Sequence, residues 1–358
     1  MSSKERVAII GTVGIPAKYG GFETLANYLV DELHTRFNFT VYCSKYNYDN
    51  KVKSYNNAKL IYLPLNANGK SSIVYDAISI LHSLFYSDTL LILGVSGAFM
   101  IPFVRIFSNK KIITNIDGLE WKRNKWGRLA KKYLKWQESI AVKYSHNVIV
   151  DNQGIREHVK LNYNKKSTLI TYGSNHAFFE ILMPETIIKY ELPKEYAFKV
   201  CRIEPENNIE LILATFSKCN KNIVIIGNWN SSRYGEKLKL KYSPFDNIWI
   251  LDPIYDQKIL NQIRSNCTIY IHGHSAGGTN PSLVEAMYLG LPIIAFNVNY
   301  NKFTMNNLSY YFSNEDDLLK ILNKLEKEKL KLIGIDLKTF AESNYTWSKI
   351  ANEYSKLF

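Results

Sequence analysis

Apolar residues recur along this chain in two rhythms. Runs of consecutive or alternating aliphatic and aromatic residues at 7–11, 39–43, 59–63, 90–93, 112–116 and 147–150 read as strands of a sheet. Between them stand stretches with the three-and-four spacing of an amphipathic helix. The clearest, 22–33, places Phe22, Leu25, Ala26, Leu29, Val30 and Leu33 on one face, and 72–84 gives another helix. A third helical pattern sets Trp126, Leu129, Tyr133, Trp136 and Ile140 at the same spacing, among seven cations between Lys122 and Lys135. Strands alternating with helices predict a doubly wound parallel sheet. After a strand at 167–172, a polar stretch at 184–194 is the expected linker, and the alternation then resumes. It gives strands at 198–202, 223–227, 247–251, 268–271 and 293–296, with helices at 208–217, 257–264 and from Pro281. The fold class expected is therefore α/β, with two Rossmann-like doubly wound domains and ligands at the carboxyl ends of the strands. Domains are expected at 1–178 and 179–340, followed at 341–358 by an amphipathic terminal helix carrying Trp347, Ile350, Ala351, Tyr354 and Phe358.

Composition narrows the class. A length of 358 residues suits two domains, and 46% hydrophobic with 13% aromatic residues excludes a disordered chain. The run 90–104 is too short to span a bilayer and contains Gly94, Gly97 and Pro102, so a buried strand followed by a buried helix is expected. The apolar stretch 7–10 is too short for a signal-peptide core, and Cys43, Cys201, Cys219 and Cys267 lack metal or disulfide spacing. A reduced, cytosolic setting is expected. The net charge of +13 favours an anionic partner. No nucleic-acid module accompanies it. Lys and Arg beside Trp121, Trp126, Tyr133 and Trp136 suit an anionic membrane surface or a lipid diphosphate. An ordinary surface helix with its aromatic stripe on the core is the alternative, and the sequence does not decide between them.

The candidate chemistry lies at four places. His274-Ser-Ala-Gly277-Gly278-Thr279-Asn280-Pro281-Ser282-Leu-Val-Glu285-Ala-Met is a glycine-rich turn feeding a helix opened by Asn280 and Pro281. Amides and the helix dipole there suit a phosphate. Glu285, one turn in, can accept from sugar hydroxyls, or can serve only as the second half of a capping box with Ser282. Arg202, at the end of a strand, can neutralise a departing diphosphate or act as a surface ion-pair partner. The loop Lys18-Tyr19-Gly20-Gly21-Phe22-Glu23 lacks a dinucleotide fingerprint, and its paired glycines open a helix towards a diphosphate or form a turn. Asp117, before Gly118, follows a strand end and so faces the ligand side, or is a turn former.

These segments resemble the retaining GT-B glycosyltransferases (family 4-like). The donor signature there is E-x-x-x-x-x-x-x-E followed by A-M-x-x-G-x-P-I, with Glu285 on the second glutamate and Gly277 on the first. The family's R-x-x-x-x-K-G is met by Arg202, with Asn207 and Asn208 in place of lysine and glycine. Tyr19-Gly-Gly-Phe-Glu, Asp117-Gly-Leu-Glu120-Trp121-Lys-Arg and Arg202-Ile-Glu-Pro-Glu-Asn-Asn are together similar to a bacterial rhamnosyltransferase subgroup.

The resemblance implies a GT-B fold with the terminal helix crossing back to the first domain. It implies transfer of a hexosyl group, with dTDP-L-rhamnose as expected donor, onto an undecaprenyl-diphosphate-linked saccharide of O-antigen or capsule assembly. UDP-glucose or UDP-galactose transfer, a nucleotide-sugar epimerase and a silent partner subunit are the alternatives. Arg202, Glu285 and Asp117 are the expected catalytic residues. Gly20, Gly21, Arg202, Asn207, Gly277, Gly278, Thr279, Asn280, Ser282 and Glu285 are the expected donor contacts. Lys18, Tyr19, Glu120, Trp121, Lys125, Arg128, Lys131 and Lys132 are expected on the acceptor and membrane side. No Asp-x-Asp pair stands in a donor position, so no metal or other cofactor is expected. The expected location is the cytoplasmic face of the membrane, peripherally bound.

Overall fold

The structure, a computed structural model, describes residues 4–18, 20–123 and 126–358. The chain forms two compact units. The first runs to Gly173 and takes in Trp347–Phe358, and the second is Ser174–Thr346.

In the first unit the strands are β1 (Arg6–Ile10), β2 (Asn38–Ser44), β3 (Ser54–Tyr55), β4 (Ala58–Leu63), β5 (Thr89–Leu93), β6 (Lys111–Asn115), β7 (Asn147–Val150) and β8 (Thr168–Leu169). They form one sheet in the order β3-β4-β2-β1-β5-β6-β7-β8, parallel throughout except for β3 against β4. Its centre is aliphatic, with Val7, Ala8, Ile9, Leu90, Leu91, Ile112 and Ile113 buried. The helices are α1 (Gly21–Leu33), α2 (Ser72–Ser83), α3 (Ile101–Phe107), α4 (Arg128–Tyr144) and α5 (Gln153–Tyr163). The connection through α1 moves one way along the sheet and those through α2, α3, α4 and α5 move the other way. Right-handed crossovers therefore put α2 to α5 together on the face opposite α1.

The second unit carries α6 (Pro184–Tyr190), β9 (Ala197–Val200), α7 (Ile209–Phe216), β10 (Ile223–Ile226), α8 (Arg233–Tyr242), β11 (Ile248–Leu251), α9 (Gln257–Ser265), β12 (Ile269–His272), α10 (Pro281–Tyr288), β13 (Ile293–Phe296), α11 (Asn299–Thr304), β14 (Tyr310–Phe312), α12 (Glu315–Asn323) and α13 (Lys327–Asn344). Its strands are ordered β11-β10-β9-β12-β13-β14, all parallel. Ile209, Ile212, Leu213 and Phe216 of α7 pack on Ile223, Ile225, Ile269 and Ile271 to fill one face. The last helix, α14 (Trp347–Ser355), belongs to the first unit and packs on α1, where Trp347 stacks on Tyr28 with ring centroids 4.5 Å apart. Gly173 is required there, because a Cβ would stand 2.4 Å from the Trp347 ring.

Three expectations are corrected. The residues expected as linker form α6, where Pro184 opens the helix and Thr186 donates to Gln262 of α9 at 2.6 Å. The helix expected to carry Trp126 on its stripe begins at Arg128, and Glu120–Lys122 forms a separate single turn. The helix expected to be buried after β5 is α3, which buries Ile101 and Val104 and leaves Phe103, Ile106 and Phe107 exposed. It packs against α4 in the helical layer.

Candidate functional site

In the second unit the loops after β9 and β12, neighbours in the sheet, carry the signature residues. Asn280 caps α10: its Oδ1 accepts from the Ser282 amide at 3.1 Å and from the Ser282 hydroxyl at 2.8 Å. Tyr270 of β12 donates to the same hydroxyl at 3.0 Å. Ser282 thus fastens α10 to its strand. Gly277, where the family has its first glutamate, has φ +94, a conformation that side chains rarely adopt. Glycine is demanded there by the turn itself.

Glu285 is no capping box. His176 Nε2 donates to its Oε1 at 3.0 Å, and Arg264 of α9 donates to its Oε2. Arg264 is 1% exposed and also donates to Asn261 at 2.6 Å. Burial pushes the Glu285 pKa up, but the Arg264 charge and the His176 hydrogen bond together outweigh it and hold the carboxyl at about 2. A permanently ionised carboxylate one turn into α10 is a strong acceptor for hydroxyl groups.

Arg202 follows β9 as expected. Its side chain is 50% exposed and its nearest carboxylate, Glu204, lies 3.9 Å away, so the guanidinium is loosely held. Asn207 is held by both loops. It is buried, its Nδ2 donates to the Arg202 carbonyl at 2.7 Å, and its Oδ1 faces His274 Nδ1 at 2.9 Å. Ser275 donates to the Glu206 carbonyl through its amide at 2.8 Å and its hydroxyl at 2.9 Å. Asn207 therefore laces the two loops together. Gly273 permits this, since a Cβ would meet the Asn207 carbonyl at 2.2 Å. Beneath the loops, His272 is buried with neither ring nitrogen hydrogen-bonded among the described residues, and burial, with Lys199 and His274 nearby, keeps it neutral. Thr279 is buried, and Gly278 and Asn280 are partly exposed just before α10.

In the first unit, α1 begins at Gly21 with Gly20 as cap at φ +126. A Cβ on Gly20 would stand 1.9 Å from Glu23 Oε2. Glu23 in turn accepts from the Val13 amide at 2.8 Å, which ties α1 to the loop after β1. Asp117 has φ +58, and its amide donates to Asn115 Oδ1 at 3.0 Å, the geometry of a turn at the end of β6. Lys18 donates to the Asn47 carbonyl at 2.9 Å and lies over Tyr48. Tyr19 and Lys125 lie outside the described residues. Trp121 donates to Glu138 at 2.8 Å between the ammonium groups of Lys122 and Lys135, and Glu120 pairs with Arg123 and accepts from Trp126. Glu120 and Trp121 are thus engaged within the unit. Arg128 and Lys132 are exposed, and Lys131 is half-buried. The expected aromatic stripe of this helix does not face the core: Leu129 is 84% and Trp136 53% exposed, and the buried positions are Gln137, Glu138, Ala141 and Val142. Glu138 decides this, drawing Trp121, His158 and Tyr163 into one network.

Asp76 of α2 is a buried carboxyl whose Oδ1 has no hydrogen-bond partner among the described residues. Burial pushes its pKa up to about 8, against the Gly97 amide, which lowers it. The folded protein thus holds a proton that the unfolded chain releases above 3.8. Stability falls as pH rises through that window and levels off above about 8. Asp76→Asn should therefore leave stability nearly unchanged at about pH 4 and add roughly 1–3 kcal/mol at about pH 8.5, read from denaturant midpoints. Equal destabilisation at both values would show that the neutral acid is not the folded form. Burial pushes the Cys43 thiol up to about 11 and that of Cys267 to about 12, so neither serves as a nucleophile.

Two parallel-sheet, Rossmann-like units, the second with an anion-suited helix start, an ionised carboxylate and a loose arginine, give the chain the architecture of the GT-B fold. Residues 185–341 match the family model "Glycosyl transferases group 1", and residues 4–175 match "Domain of unknown function (DUF1972)". The stretch 185–341 therefore carries a group 1 glycosyl transferase domain. No curated protein sequence gives a significant match. Among solved structures, sucrose-phosphate synthase from Thermosynechococcus elongatus is similar at TM-score 0.81 and 16% identity, covering 99% of this chain and 98% of the other. HepE from Anabaena in complex with UDP-glucose gives TM-score 0.74 and 10% identity, with 98% of each chain covered. The catalytic domain of starch synthase IV from Arabidopsis thaliana, bound to ADP and acarbose, gives TM-score 0.73 and 13% identity, with 99% of each covered. At these identities the likeness is one of fold.

His176 and Arg264 are the site residues that sequence reading missed. Arg264 left a signal: it stands four residues after Leu260 on the buried side of α9, where a cation needs a buried partner. His176 left none.

Proposed function

We propose that the protein is a retaining, metal-independent glycosyltransferase that moves L-rhamnose from dTDP-L-rhamnose onto a lipid-diphosphate-linked saccharide at the cytoplasmic face of the membrane. The observation that carries the reading is the pairing, after adjacent strands β9 and β12, of a half-exposed Arg202 with an ionised Glu285. Glu285 accepts from the ribose hydroxyls. Arg202 and the amides of Gly278–Asn280 hold the diphosphate and neutralise the charge that grows on it as the glycosidic bond breaks. The acceptor hydroxyl attacks on the face the nucleotide leaves, and a phosphate oxygen takes its proton. Relatives solved with UDP-glucose and with ADP support a nucleotide-linked donor. No nucleic acid enters this reading, and the partner is an undecaprenyl-diphosphate-linked acceptor on an anionic membrane.

The test is a panel of dTDP-, UDP- and GDP-sugars scored by the rise each gives in Tm, followed by transfer assays with the best donor. Largest stabilisation by dTDP-L-rhamnose is expected, together with acceptor-dependent turnover that excess EDTA leaves unchanged. Turnover of donor without acceptor identifies an epimerase, donor binding without turnover identifies a silent subunit, and EDTA loss restored by Mg²⁺ overturns the metal-independent step.

A further inference from the structure

Helix α2 is turned inside out. Its buried side holds Ser72, Asp76, Ser79 and Ser83 with Tyr75 and Ile80, while Val74, Ile78 and Leu81 are exposed at spacings of four and three, a stripe that Phe85 continues in the turn after the helix. An ordinary surface helix puts that stripe on the core. Between Lys70 and Asp88 the only acidic or basic side chain besides His82 is Asp76, and it is buried. The exposed apolar surface is taken up again on α3, in the same helical layer, by Phe103, Ile106 and Phe107. Exposed apolar surface of this kind marks a binding face.

Charge decides what covers it. Cations stand around the apolar residues: Arg105 on α3, Lys59 over the Tyr86 ring, and exposed Arg128, Lys132 and Lys135 on α4, against which α3 packs. A second copy of a chain with net charge +13 would bring like charges together. An anionic bilayer offers the complement, negative headgroups over an apolar interior. We infer that the α2–α3 face docks on an anionic membrane, with Ile78, Leu81, Phe85 and Phe107 entering the acyl boundary and the α4 cations lying over the headgroups. This rests on the reading of a lipid-carried acceptor and deepens it, because the anchor is the uncharged α2 face and not the basic helix alone. No helix among the described residues is long and apolar enough to cross a membrane, so docking is from one side.

The experiment is flotation of the full chain with phosphatidylcholine–phosphatidylglycerol vesicles and with phosphatidylcholine alone, without donor or acceptor. Binding to the anionic vesicles is expected, with a component that survives high salt. The triple variant Ile78→Ser/Leu81→Ser/Phe85→Ser should lose that component, its partition coefficient falling by about a hundredfold or more, with Tm and donor-induced stabilisation unchanged. Arg128→Gln/Lys132→Gln should lose binding mainly at low salt. Unchanged binding of the triple variant overturns the proposal, as does equal binding to neutral vesicles. A wild-type dimer that the triple variant abolishes in light scattering also overturns it and assigns the face to a second copy. A chain that floats but fails the donor panel would sink the rhamnosyl reading alone; one that uses donor but does not float would sink this inference alone.

Discussion

Replacing Glu285 with Gln is expected to lower kcat/KM by on the order of a hundredfold or more and to cost roughly 3–5 kcal/mol of stability as well. The two losses have separate causes. Activity falls because a neutral amide is a weaker acceptor for the donor's hydroxyls. Stability falls because Arg264, 1% exposed, is left as a buried cation without its carboxylate. From the depressed carboxyl, held at about 2 against an ordinary 4.5, the stabilisation by Glu285 should be fully present above about pH 4.5 and disappear as pH falls towards 2. A double variant, Glu285→Gln/Arg264→Met, removes both charges and should recover much of the stability without recovering turnover. Measured kcat/KM beside denaturant midpoints for the two variants decides the matter. If the double variant regained activity along with stability, Glu285 would be a structural group and the donor site would have to lie elsewhere.

Arg202→Ala should show the opposite balance. A loss of on the order of a hundredfold or more in kcat is expected from removing the cation that meets the leaving diphosphate. Stability should stay within about 0.5 kcal/mol of the parent, because an exposed arginine 3.9 Å from its nearest carboxylate contributes little to the fold. Arg202→Lys keeps the charge and loses the fork, so partial recovery is expected. Steady-state kinetics and Tm on the same preparations provide the check. Near-parental turnover in Arg202→Ala would remove this residue from the mechanism and leave the helix amides to carry the diphosphate.

Much of this architecture was legible before any coordinates. The stripe read at 22–33 is α1, Gly21–Leu33, and Leu25, Ala26, Leu29, Val30 and Leu33 are buried on it. The cap at Asn280 with proline behind it is found as read, because a cap is settled by residues two or three apart. Other positions were ambiguous for stated physical reasons. The place of Asn207 in its motif does not show that it braces the loop after β12, where His274 comes within 2.9 Å of it. Around α2 the residues Ile73, Val74, Ala77, Ile78, Ile80 and Leu81 are apolar on more than one side. Periodicity shows that such a helix forms and is silent on which side turns inward.

By itself, then, the sequence determined the alternation of strands and helices, the helix starts and the positions of Arg202 and Glu285 at strand and helix ends. All of these follow from interactions spanning a few residues. Only the tertiary structure decided which groups hold Glu285 ionised and which apolar stripe is left facing out. His176 lies 109 positions from Glu285 and Arg264 lies 21 away. Burial and charge pairing depend on what packing brings near, and no local rhythm carries that distance.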